Sequence, residues 1–183
     1  MIMFIRLFWI GMLCGCVSGC SVATYSHKLE DYSGSDRVGM TFDNRNLDYI
    51  RVYPNTHECI NLDAPDNGYT NNAVGFQTKL NNKELGFPEI PESSPMKREF
   101  WVSAKGNIAV RMIAPNGVAD TITFKPVIGN YYYVTGVLVS PYSSRHLAVY
   151  EVFKTDKGFY DRRPVTDLAI KNCKVFESRF QQF

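Results

Sequence analysis

From about residue 37 the chain alternates short apolar runs with turn-forming residues. "RVGMTF" (37–42) and "DYIRVYP" (48–54) read as strands that end at Asn-rich or Pro-containing breaks. "AVGFQTKL" (73–80) puts Val74, Phe76, Thr78 and Leu80 on one face at period two, and Asn81-Asn82 then turns into "KELGF" (83–87). The best-patterned part is "REFWVSA", "IAVRMIA", "DTITFKPV" and "YYYVTGVLV", separated by turns at Lys105-Gly106-Asn107, Pro115-Asn116-Gly117 and Gly129-Asn130. These four runs predict a four-stranded meander. In the third, Ile122 and Phe124 face one way and Thr121, Thr123 and Lys125 the other, the pattern of a half-solvated antiparallel sheet. "LAVYEVF" (147–153) adds a strand, and a short one is expected at "KVF" (174–176). Near-helical spacing of Leu168, Lys171 and Val175 predicts a short C-terminal helix or an irregular strand. The fold expected is all-β, an antiparallel β-sandwich of about eight or nine strands.

Two interruptions stand out. "INLDAPDNGYTNN" (60–72) is crowded with turn formers and reads as a loop. "FPEIPESSPM" (87–96) carries Pro88, Pro91 and Pro95, which withhold backbone donors and predict an extended, exposed excursion. It is either a long crossover between sheets or a partner-binding loop presenting Pro91 and Pro95.

The first residues have another logic. Arg6 precedes an apolar run from Leu7 to Leu13. That run is shorter than the ~20 residues a membrane-spanning helix needs, and it has the form of a secretory signal peptide. Val17-Ser18-Gly19-Cys20, directly after it, resembles the lipobox of bacterial lipoproteins: an aliphatic residue, two small residues, then cysteine. The resemblance implies cleavage after residue 19, a diacylglyceryl group on the Cys20 thiol and an acylated amino group. The protein would then be anchored to a membrane without spanning it. Ser21 does not resemble the aspartate that retains such proteins at the inner membrane, so the resemblance implies a palmitoylated lipoprotein of the outer membrane, facing the periplasm. Residues 20–37 are polar and serine-rich and read as a flexible lipid tether; residues 38–183 form the single domain expected.

Composition narrows the function classes. A net charge of +2 with no basic stripe gives no sign of nucleic-acid binding. Aromatic residues make up 14% of the chain, which favours strands. Beyond Cys20 the cysteines are Cys59 and Cys173. In an oxidising compartment they form a disulfide joining the start of the domain to its end, or else remain two buried thiols.

Motifs for chemistry are sparse. No nucleophile elbow, zinc-helix motif, phosphate loop or dinucleotide fingerprint occurs in the sequence. His57-Glu58-Cys59 are ligand types, but neighbours on a strand point to alternate faces and do not converge on one ion. The serines of "SPYSSRH" lie near His146 in sequence only, and a polar turn accounts for them. No catalytic residue, metal or cofactor is therefore assigned. Tyr131-Tyr132-Tyr133 places Tyr131 and Tyr133 on one strand face, either as a stacking or interface surface or as sheet packing. The terminal Phe183 suggests an outer-membrane barrel, but Gln181 and Arg179 share its face and break the barrel alternation. "TFKPVIGNYYYV", following "FWVSAKGNIAVRM", resembles small bacterial lipoprotein β-domains of unknown function.

The function expected is a non-enzymatic envelope interaction or assembly module with a protein partner. The alternatives are an immunity-type lipoprotein that neutralises a periplasm-delivered toxin, and a domain that binds glycan or peptidoglycan fragments.

Overall fold

The computed structural model describes residues 28–43, 49–70, 82–113, 119–138 and 145–173. They contain β1 (Arg37–Asp43), β2 (Tyr49–Thr56), β3 (Gly68–Tyr69), β4 (Lys97–Ser103), β5 (Asn107–Ile113), β6 (Ala119–Phe124), β7 (Tyr131–Leu138), β8 (Arg145–Lys154) and β9 (Tyr160–Pro164). The strands build two packed sheets, one in the order β4-β1-β7-β8-β9 and the other β3-β2-β5-β6. Every pairing is antiparallel except β1 with β7, where Gly39 to Phe42 run parallel to Tyr131 to Val134. The all-β sandwich expected from the alternation is the observed architecture.

Alternation explains why the sheets face each other. Val38, Met40 and Phe42 of β1, Phe100 and Val102 of β4, and Tyr132 and Val134 of β7 point inward. They meet Ile50 and Val52 of β2, Ile108, Val110 and Met112 of β5, and Phe124 of β6.

The predicted meander does not form. β4 and β7 both pair with β1, whereas β5 and β6 pair with each other in the opposite sheet. The Lys105-Gly106-Asn107 and Gly129-Asn130 turns reverse the chain but carry it from one sheet to the other. Turn chemistry specifies a reversal; it does not specify whether the next strand pairs with the last or packs across the core from it. β9 and the short β3 were not expected. "KELGF" forms no strand, contributing only a bridge from Lys83 to Arg98. "AVGFQTKL" and "KVF" lie outside the described residues.

The C-terminal helix is also overturned over residues 165–173, which hold no helix. Their amides are engaged elsewhere: Val165 N–H donates to Val149 C=O, Leu168 N–H to Thr123 C=O and Cys173 N–H to Ile60 C=O. Ala169 sits at φ 51°, and Asp167 accepts from Thr123 N–H at 3.0 Å. Partners on the sheet edge outcompete the i→i−4 ladder that a helix needs.

Both outer faces carry irregular chain. On the four-stranded sheet, Ile60, Tyr53 and Ala109 form a second cluster with Leu62 and Ile170, and Cys59 is disulfide-bonded to Cys173 beside it. On the five-stranded sheet, the proline-rich segment places Ile90 over Tyr133 and Val152. Contacts also begin ahead of β1, within the stretch expected as a tether. Leu29 is buried in the main core, its N–H donates to Tyr69 C=O, and Tyr32 N–H donates to Trp101 C=O.

Candidate functional site

Folding lays the proline-rich segment over the tyrosine-bearing face of β7 and joins Cys59 to Cys173 on the other sheet. Cys20 lies outside the described residues. Tyr131 and Tyr133 do share the outer face of β7, but not as an open platform. Tyr133 is only 2% exposed beneath Ile90, and its hydroxyl accepts from Ser94 N–H at 3.2 Å. Tyr131 lies among Phe87 and Trp101, with ring centroids 5.2 and 6.1 Å away. Pro91 and Pro95 are exposed, whereas Phe87, Ile90 and Ser94 of the same segment are buried. The proline-rich stretch is therefore a strap fastened to the sheet, with Pro91 and Pro95 outward, and not the exposed excursion expected.

Its fastening is electrostatic as well as apolar. Glu99, 1% exposed, accepts from the backbone N–H groups of Leu85, Gly86 and Phe87 and lies 3.6 Å from Lys97 Nζ. Lys97 Nζ also donates to Glu89 at 2.8 Å. Burial pulls the Lys97 pKa down, but the hydrogen bond to Glu89 and the charges of Glu99, Glu89 and Glu84 outweigh it and leave it raised. The same hydrogen bond, with the Lys97 charge, lowers the Glu89 pKa. Farther along, Arg162 meets Glu92 at 3.2 Å and stacks over Tyr150 at 4.9 Å.

Open surface concavity lies at the far end of β2. Two adjoining hollows of about 350 and 430 Å³ share Pro54, Asn55 and Asp66. The first is bounded by the segment ahead of β1 and by Trp101 and Ser103 of β4; the second by His57, Glu58 and Asn61 of the following loop. Together they make a groove at the end of β2, between β4 and the loop that follows β2.

Local sequence explains the shape. β2 slips register against β5 between Tyr53 and Thr56, and Asn55 there takes φ 58°. Asparagine tolerates the left-handed region better than other residues with a Cβ. A bulge bends its strand and turns a side chain out of the ladder. The Asn55 amide donates to Asp66 Oδ2 at 2.6 Å and accepts from Ser103 Oγ at 3.0 Å. Gly106 lies tight behind it: a Cβ there would fall 2.9 Å from Asn55 Cα. Buried Asn67 holds the neighbouring loop, accepting from Arg51 Nε at 2.8 Å and donating to the carbonyls of Leu62 and Ala64. On the opposite wall, Asp31 accepts from Trp101 N–H at 3.0 Å and pairs with Lys83 at 2.6 Å. Tyr32 donates to Asp36 at 2.9 Å, which with Lys105 lowers the Asp36 pKa against the effect of burial.

Chemically the hollows present amide, carboxylate and hydroxyl groups already held by one another. Ser103 Oγ is engaged with an amide and not with a base, and among the described residues no three His, Cys, Asp or Glu side chains converge as a metal site. His57 and Glu58 are exposed on the second hollow. His146 stands away from both hollows, its Nδ1 3.7 Å from Asp120 Oδ2. Sequence reasoning missed Asn55, Asp66, Tyr32 and Trp101. The one signal was the "YPNT" break in an otherwise regular strand. Comparison with protein-family models, curated proteins and solved structures returns no match to this chain.

Proposed function

We propose that the protein is a lipoprotein anchored through Cys20 to the outer membrane, whose β-sandwich acts in the periplasm as a non-enzymatic interaction or assembly module. The supporting observation is the groove at Asn55. A strained backbone position is held there by Asp66 and Ser103, so that the two hollows have a set shape before anything binds. Strain of this kind persists where the surroundings enforce it and is concentrated at functional positions. Such preorganisation reduces the ordering cost of association.

The groove also supports a second reading, recognition of glycan or peptidoglycan fragments. Tyr32 and Trp101 line one hollow together with Asp31, Asp66 and Asn55, aromatic residues beside amide and carboxylate groups. The exposed rings of Pro91 and Pro95 leave the immunity-type reading a different surface, the outside of the strap.

One comparison separates these readings. Envelope extracts are passed over the lipidated protein and over its Asp66→Arg variant, with bound partners and the mass of the N-terminus read together. A stoichiometric protein retained by the first and lost from the second supports the interaction module. Equal retention by both removes the groove from the proposal, and its loss in Pro91→Asp moves the site to the strap. For the glycan reading the probe is intrinsic fluorescence. Trp9 and Trp101 are the two tryptophans, so a chain cleaved after residue 19 reports from Trp101 alone.

A further inference from the structure

The end of the sandwich that carries the groove also presents two turns on its other side. The β6–β7 turn spans residues 125–130 and the β8–β9 turn residues 155–159. Register places them side by side. Tyr131, the first residue of β7, pairs with Val152, and β8 runs two residues farther, to Lys154, before it turns. At their tips Val127 is 54%, Ile128 57% and Phe159 72% exposed. Single exposed apolar residues are ordinary; three on neighbouring turns at one end are not.

These side chains are held out by rigid backbone. Gly129 and Gly158 each take φ 84°, a left-handed conformation suited to glycine. Val127 N–H donates to the Tyr132 hydroxyl at 2.9 Å, Gly129 N–H to Arg37 C=O at 2.9 Å and Asn130 N–H to Val127 C=O at 3.0 Å. In the second turn Thr155 N–H donates to Phe159 C=O at 2.7 Å and Gly158 N–H to Thr155 C=O at 2.9 Å. Glu151 ties the base of the first turn to β9, accepting from Asn130 Nδ2 at 2.6 Å and from Arg163 Nε at 2.8 Å. The fold thus spends many backbone hydrogen bonds on keeping apolar groups in water.

Charge indicates the occupant. Lys125 and Lys157 within the two turns and Lys154 just before the second are exposed, against Asp156 in the second turn and Asp161 just after it. Apolar tips ringed by lysine match a phospholipid surface with anionic headgroups, where each cation near the surface adds attraction. Chain length agrees. Lys28 lies beside Tyr69, which pairs with Arg51 near the middle of β2. From Arg51 to the end of β2 at Thr56 is roughly 17 Å at strand spacing, and the eight residues from Cys20 to Lys28 reach up to about 28 Å when extended. A lipid on Cys20 therefore reaches past the end of β2, towards the plane of the tips.

We propose that Val127, Ile128 and Phe159 dip into the phospholipid surface to which the chain is anchored, setting the orientation of the domain. In its use of the anchor this rests on the lipoprotein reading above. The turns stand towards the β8/β9 side and the hollows towards the β2 and β4 side of the same end, so a domain resting on its tips holds the groove close to the membrane. Burying one such side chain corresponds to about tenfold to a hundredfold in a partition constant.

The test uses the full chain as the cell produces it, reconstituted in phosphatidylethanolamine–phosphatidylglycerol vesicles containing spin-labelled lipid. A fluorophore is placed on Ile128→Cys, on Phe159→Cys, or on Ala119→Cys at the opposite end of β6 as a control. Quenching several-fold greater at the first two sites than at the control is expected, and Val127→Asp together with Lys157→Glu should bring the ratio towards one. Equal quenching at all three sites, or none, overturns the proposal. Blue-shifted emission without quenching also overturns it, assigning the tips to a second copy of the chain. The N-terminal mass of the same sample reads the anchor separately: acylation without selective quenching sinks the tips alone, and selective quenching without acylation sinks the anchor alone.

Discussion

Replacing Glu99 by alanine should release the proline-rich strap from the sheet. The carboxylate is almost wholly buried and accepts three backbone N–H groups, from Leu85, Gly86 and Phe87. Those donors differ in what they lose. Leu85 and Gly86 are exposed, so water replaces the carboxylate at about 0.5 kcal/mol each, whereas buried Phe87 N–H is left unsatisfied at about 2 kcal/mol. The sum is about 3 kcal/mol, which for a domain of this size lowers Tm by roughly 6 to 12 °C. Glu99→Gln keeps one carbonyl acceptor and should cost about half as much. Urea titration gives the stability difference, and Trp101 emission gives the place, because the Phe87 ring lies edge-on to Trp101 at 4.7 Å. Loss of stability together with a shifted Trp101 spectrum is the expected outcome. A Glu99→Ala protein within about 0.5 kcal/mol of the parent, the ordinary range for a neutral surface change, would refute the account. So would a large loss with Trp101 unmoved, since the damage would then lie elsewhere.

Three further outcomes follow from other contacts. Reducing the Cys59–Cys173 disulfide frees a loop with a sequence separation of 114 residues, and Cys59→Ser with Cys173→Ser should lower stability by up to about 4.7 kcal/mol in the chain-entropy account, measured by urea midpoint with and without reductant. Gly68→Ala would bring a Cβ to 2.4 Å from the backbone nitrogen of Leu29; a loss of about 1 to 3 kcal/mol and faster amide exchange at Leu29 are expected, and neither would appear if that segment were undocked in solution. The Glu89–Lys97 pair sets a pH window. The Glu89 pKa is lowered from 4.5, so its contribution is present above that value and fades as pH falls through the lowered one; that of Lys97 is raised from 10.5, so its contribution fades as pH rises through the raised value. Glu89→Gln should flatten the acid side of the stability profile, and an unchanged slope would show that the pair does not hold the strap.

The apolar–polar alternation was enough to predict β1, β2, β4 to β8 and the sandwich, because a side-chain period of two leaves one face apolar and that face must be covered. It was not enough for the pairing. The four runs expected as a meander satisfy their backbone hydrogen bonds equally well in either sheet, and only the joint burial of Phe100, Val102, Ile108 and Phe124 between sheets selects the arrangement. β9 was illegible for a related reason: "YDRRP" has no apolar alternation and becomes a strand by pairing with β8 and aiming Arg162 at Tyr150 and Glu92.

The groove shows the same division. "YPNT" announces a break in β2, but a hollow needs Asp66 and Ser103, 11 and 48 residues away in sequence, to arrive at Asn55. Tyr131 and Tyr133 were legible as same-face neighbours, yet whether that face met solvent depended on a strap whose prolines had suggested exposure. Local pattern determines which way a side chain points. What it meets there is decided by distant chain, because burial and polar pairing are properties of the assembled sheets.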